Sequence, residues 1–161
     1  MPATVVIPAR FASSRFPAKM IAAETGKPLV QHVVEQVKKA KRVRNVIVAT
    51  DDSRIVAALK PFGTIVTKTL GDHQSGTDRI WEVVSEWPGE LIVNVQGDEP
   101  EIEPETIDVH FGGPVPQAVH HHLQHSRMAQ IHGIPRSRVV YVVAVLVRHQ
   151  PVIRSVIDSL E

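Results

Sequence analysis

Four short apolar runs, at residues 4–7, 46–49, 64–66 and 91–95, constrain this chain more than any other feature. They are continuous rather than alternating and rich in valine and isoleucine, the pattern of strands buried on both faces. Between the first two, Leu29, Val33 and Val37 recur every four residues, with Val30 and Val34 beside them. That spacing gives a helix with one apolar face, from Pro28 as a first helical residue to about Ala40. A second helix is expected from Asp52 or Ser53, either of which can cap it, to about Lys60, where Pro61-Phe62-Gly63 ends it. Ile80, Val83 and Val84 mark a third, ending before Pro88-Gly89, and a fourth is expected to begin near Pro104. Strands alternating with helices predict an α/β fold: a parallel sheet covered by helices through right-handed crossovers.

In such sheets ligands sit at the carboxyl ends of strands. The first run enters Ala9-Arg10-Phe11-Ala12-Ser13-Ser14-Arg15-Phe16-Pro17-Ala18-Lys19, where three cations precede the first acid, Glu24. A single cation there would read as a solvated loop. Arg10, Arg15 and Lys19 together read as a site for an anion, and Arg and Lys both suit phosphate oxygens. The fourth run enters Gln96-Gly97-Asp98-Glu99-Pro100. Asp98 at a strand end is placed to hold Mg²⁺, which takes one or two carboxylates plus substrate phosphates. An acidic turn is the alternative, since Glu101, Glu103 and Glu105 continue the run. Gly97 is expected to let the backbone approach a ligand. Between them lies a polar stretch, residues 70–79. Ser75 or Thr77 at a helix start would aim backbone N–H groups at a ligand. His73 alone reads as a hydrogen-bonded structural histidine, and Asp51 either lines the site or forms a turn. Neither G-x-G-x-x-G nor G-x-x-x-x-G-K-[ST] is present. A nucleotide would then be held largely by side-chain cations, with a metal opposite.

Composition removes other classes. A net charge of +1 leaves no nucleic-acid footprint, and the absence of cysteine removes disulfide and thiolate chemistry. No leader pattern opens the chain, and its longest apolar run, residues 139–147, is too short to span a bilayer. No membrane role and a cytoplasmic location are therefore expected.

Four stretches carry a resemblance: residues 7–19, Val48-Ala49-Thr50-Asp51-Asp52, Asp72-His73-Gln74-Ser75-Gly76-Thr77-Asp78-Arg79, and Asn94-Val95-Gln96-Gly97-Asp98-Glu99-Pro100. The first resembles the N-terminal signature of cytidylyltransferases for acidic sugars. All four, in order, resemble the 3-deoxy-manno-octulosonate (KDO) cytidylyltransferases over about residues 4 to 108. The resemblance implies a three-layer α/β/α, Rossmann-like nucleotidyltransferase fold. It implies attack of the KDO anomeric hydroxyl on the α-phosphate of CTP, with pyrophosphate leaving under Mg²⁺ assistance, for lipopolysaccharide synthesis. By that match Arg10, Arg15 and Lys19 hold the triphosphate. Ala9, Ser75, Gly76 and Gln96 help form the nucleotide and cytosine pocket, Arg79 supports it, and Asp98 binds Mg²⁺. Arg10, Lys19 and Asp98 are the expected catalytic groups. The family is homodimeric. A cytidylyltransferase for another acidic sugar, such as sialic acid, is the runner-up.

After about residue 108 composition changes. All lysines lie before residue 69, whereas seven of the nine histidines follow residue 108, including His120-His121-His122 and His125. His121 and His125 have zinc-ligand spacing, but no carboxylate accompanies them, and a histidine-rich surface segment is expected. Residues 139–147 read as a strand that would be an aggregation hazard if unpaired. The family's later features, including most of its sugar site, its dimer-forming segment and a second metal-binding aspartate, find no match here. The expected organisation is a nucleotide-binding domain at 1–108 and a divergent or frameshifted tail at 109–161. A truncated chain of this kind would bind CTP at most, which is the non-enzymatic alternative.

Overall fold

The computed structural model describes residues 3–12, 18–71, 73, 76–85, 91–109 and 141–145. In chain order the elements are β1 (Ala3–Pro8), α1 (Leu29–Val37), β2 (Val43–Thr50), α2 (Ser53–Leu59), β3 (Ile65–Lys68), α3 (Gly76–Ser85), β4 (Leu91–Val95), α4 (Pro104–Val109) and β5 (Tyr141–Val145). The five strands form one sheet in the order β3-β2-β1-β4-β5, and every pairing is parallel.

The runs that become β1, β2 and β4 are strands for the reason their composition gives, both faces being covered, whereas β3 is an edge strand with no buried residue, its Ile65 exposed. On one face Val5, Ile7, Val46, Val48, Val93 and Val95 pack against the apolar sides of α1, α2 and α4. On the other, Val6, Ile47, Ala49 and Ile92 pack against Ile80, Val83 and Val84 of α3. The crossovers from β1 through β3 run one way along the sheet and carry α1 and α2. The β3-to-β4 crossover runs back past β1 and puts α3 on the opposite face, as a constant hand requires.

Boundaries differ in detail. Pro28 is the N-cap of α1 rather than its first residue, and the helix ends at Val37. Lys38, Lys39 and Ala40 close it as a turn, with the Lys39 and Ala40 amides donating back to Gln36 and Val37 carbonyls. β2 starts three residues earlier than its apolar core, because Val43, Arg44 and Asn45 extend the pairing with β1 at a half-exposed end. Asp52 is the cap of α2, its side chain accepting from the Arg54 amide. A 3-10 turn, Lys60–Phe62, and Gly63 at φ 64° end that helix. The late strand pairs with β4 from Leu91↔Tyr141 to Val95↔Val145. His120, His121, His122 and His125 lie outside the described residues. No helix among the described residues is long and apolar enough to cross a membrane.

Candidate active site

The sheet order creates one topological switch point among the described strands, between β1 and β4. From β1 the chain proceeds outward to β2 and β3; at β4 it resumes on the other side. Open α/β sheets bind ligands in the crevice outside the carboxyl ends of such a pair. Pro8-Ala9-Arg10 leaves β1 there and Gln96-Gly97-Asp98 leaves β4 beside it.

The loop after β1 is closed by its own backbone. The Ala18 amide donates to the Phe11 carbonyl at 3.0 Å. Ala18 has φ 62°, the left-handed region that costs a non-glycine residue about 1 kcal/mol. A 3-10 turn, Lys19–Ile21, follows at once. This reversal delivers Lys19 to the mouth of the crevice, where its Nζ donates to Asp98 Oδ2 at 2.8 Å. The two side chains are 39% and 41% exposed. An ion pair so wet is worth about 0–1 kcal/mol, so either group can exchange its partner for a ligand at little cost.

Arg10 enters from β1. Its Nη2 donates to the His73 carbonyl at 2.6 Å, which uses one edge of the guanidinium and leaves other N–H donors for a ligand. Ala9 is fully buried, and its amide is spent on the Ala49 carbonyl at 2.8 Å. Gln96 is half-buried just past β4. Gly76 opens α3 against β1: a methyl group there would lie 3.3 Å from Pro8 Cγ. Arg15 and Ser75 lie outside the described residues.

Gly97 is closely packed within the protein itself. A Cβ there would lie 3.1 Å from Met20 Sδ, 3.2 Å from the Pro8 carbonyl oxygen and 3.3 Å from Ile7 Cγ2. The close approach seen at Gly97 is between the β4 loop and the end of β1, with Met20 beside it.

Arg79 is a buried strut, 1% exposed. Its Nη1 lies 3.2 Å from Asp51 Oδ1, donates to Thr69 Oγ1, and reaches the Leu70 carbonyl at 3.4 Å. It thereby ties the end of β2 to the loop after β3. Its Nε has no hydrogen-bond partner among the described residues. Asp51 thus faces the carboxyl edge as a counter-charge to Arg79. Glu82, which the sequence pattern does not single out, accepts from the Leu70 amide at 3.1 and 3.2 Å and contacts His73 Nε2. The only sequence signal for it is its place one turn beyond Arg79 on the polar side of α3. Among the described residues no cluster of three or more His, Cys, Asp or Glu could hold a metal ion. Asp98 contributes a single hard carboxylate. That suits a cation whose remaining ligands are phosphate oxygens and water.

Residues 4–113 match the family model of the cytidylyltransferases. The chain is 57% identical over 105 residues to a 3-deoxy-manno-octulosonate cytidylyltransferase of Geobacter sulfurreducens, covering 65% of this chain and 42% of that protein. It is 46% identical over 144 residues to the protein of the same name from Geobacter metallireducens, covering 89% of this chain and 57% of that one. The second alignment is long enough to reach past residue 113. A CMP:2-keto-3-deoxy-manno-octonic acid synthetase solved in complex with CTP superposes with a TM-score of 0.66 at 42% identity, over 69% of this chain and 46% of that one. A nucleotidyl transferase of Methanothermobacter thermautotroptrophicus shares the fold, with a TM-score of 0.59 at 21% identity, over 67% of this chain and 56% of its own. The chain spans about half the length of the curated relatives it matches.

Proposed function

The chain belongs to the cytidylyltransferase family, and on that footing we propose that it serves transfer of CMP from CTP to the anomeric hydroxyl of KDO, releasing pyrophosphate. The observation that carries this reading is the meeting of Lys19 and Asp98, 79 residues apart in sequence, at the switch point that Arg10 borders as it leaves β1. Two cations and a carboxylate at the ends of adjacent parallel strands suit a polyphosphate. The close relatives named for KDO, and the related structure complexed with CTP, favour that sugar and that nucleotide.

In this reading Arg10, Lys19 and Arg15 bind the triphosphate and offset the charge that grows on the leaving pyrophosphate. Ala9, Gly76, Ser75 and Gln96 shape the nucleotide pocket, and Arg79 supports it from below. Asp98 would hold Mg²⁺, which when bound supplies charge neutralisation on the phosphate oxygens. Transfer to the sugar hydroxyl needs little covalent help from the protein. Positioning an in-line attack and stabilising developing charge account for the rate. In this reading the reaction belongs to the cytoplasm.

Pyrophosphate release from CTP and Mg²⁺, with and without KDO, tests the proposal. Release that requires KDO, exceeds release with sialic acid, and falls at least about a hundredfold in Arg10→Ala and Asp98→Ala is expected. Wild-type rates in both variants would remove the assigned roles. CTP binding without turnover would assign the chain to nucleotide binding alone.

A further inference from the structure

Arg10 does not stand alone at the mouth of the crevice. Its Nη2 bonds the carbonyl of His73, and His73 is itself fixed from the other side. The imidazole is 10% exposed and its Nε2 contacts Glu82 of α3. Both Glu82 oxygens also take the Leu70 amide, at 3.1 and 3.2 Å. One carboxylate on α3 therefore gathers a ring and a backbone amide of the same loop. The carbonyl that this loop presents is the one holding the guanidinium. One turn earlier, Arg79 fastens the start of the loop through Thr69 and the Leu70 carbonyl. The relay runs from α3, through Glu82 and His73, to a cation hung on the end of β1.

We propose that Glu82 and His73 are positioning residues for Arg10, setting the direction in which its guanidinium faces a phosphate ligand at the β1–β4 crevice. An arginine leaving a strand end has many rotamers, and ordering it on ligand binding is costly. A fixed carbonyl on one edge of the guanidinium orders it beforehand and leaves other donors free, which is preorganisation for an anion. The role in catalysis rests on the reading of Arg10 as a phosphate ligand; the contacts that set its direction do not.

The test has two arms on the full chain. In the first, Arg10 is labelled with phenylglyoxal without any nucleotide, and its rate is read by peptide mass spectrometry against the exposed Arg44. Glu82→Ala and His73→Ala should each raise labelling of Arg10 several-fold and leave Arg44 unchanged. Glu82→Gln, which keeps an acceptor oxygen, should stay near the wild-type rate and guards against loss of fold in the alanine variants. In the second arm, the CTP dissociation constant should rise about tenfold in Glu82→Ala, the effect of one charge-assisted hydrogen bond. Arg10→Ala combined with Glu82→Ala should bind no more weakly than Arg10→Ala alone. Unchanged Arg10 labelling in folded Glu82→Ala and His73→Ala would overturn the proposal, as would strictly additive losses. Altered labelling in a protein without CTP affinity would uphold the positioning and remove the phosphate role of Arg10.

Discussion

A methyl group at position 97 would press on Met20 Sδ, the Pro8 carbonyl and Ile7. The methionine can yield, but the carbonyl belongs to the end of β1 and cannot move without shifting Arg10. Gly97→Ala is therefore predicted to cost about 1–3 kcal/mol, the usual penalty of overpacking, read as a lower urea midpoint at unchanged slope. A variant as stable as wild type would show that the loop has room to adjust. At this scale the sequence showed where residues fall better than what they touch. The places of Arg10 and Asp98 just past strand ends were legible from the apolar runs, whereas the contact of Lys19 with Asp98 was not. Gly97 was legible as a close approach, yet its partner was hidden, because it lies nearly ninety positions away in the chain. Arg79 was the least legible in its burial. Arginine ordinarily lies at the surface, and the counter-charge that permits its burial, Asp51, reads in sequence as a turn residue.

Among the elements, α2 shows how one carboxylate can secure a helix and a site loop together. Asp52 caps the helix through the Arg54 amide and pairs with the Arg54 side chain through Nε at 2.9 Å and Nη2 at 2.6 Å. The Arg54 guanidinium in turn lies 3.3 Å from the centroid of Phe11, in the loop after β1. The hydrogen bonds from the Arg54 side chain and backbone hold the Asp52 carboxyl at about 2, below its ordinary 3.8. A carboxyl depressed on folding contributes stability that is complete above about pH 4 and is lost as pH falls through about 2. Asn caps a helix about as well as Asp, so Asp52→Asn removes the charge and keeps the cap. The variant is predicted to be less stable than wild type at pH 7, with the difference closing as pH falls from 4 to 2. Parallel pH curves for the two proteins would contradict this. The cap was visible in Asp51-Asp52-Ser53. The pairing of Arg54 with its own cap, and its reach to Phe11, depend on rotamers that no pattern records.

For the whole molecule, the alternation of apolar runs and helices was enough for the α/β class and for a parallel sheet. The strand order was not, because β1 lies between β2 and β4 through pairings that span long loops, and local propensity is silent about them. The switch point follows from that order. So does the meeting of Lys19 with Asp98, which neither motif contains alone. The strand near residue 141 was legible from its valines, but its place on the outer edge of β4 was not. The Lys19–Asp98 pair at the switch point, with Arg10 leaving the adjacent strand end, makes the central claim: nucleotide phosphates bind between β1 and β4. Titration of the ¹⁵N-labelled chain with CTP and Mg²⁺, followed by amide chemical shifts, tests it most directly. The expected result is saturable shifts concentrated at Ala9, Arg10, Phe11, Lys19, Gly76 and residues 96–98, with the β3 edge around Ile65 unmoved. Saturable shifts centred elsewhere on the sheet, or none at millimolar CTP, would contradict it.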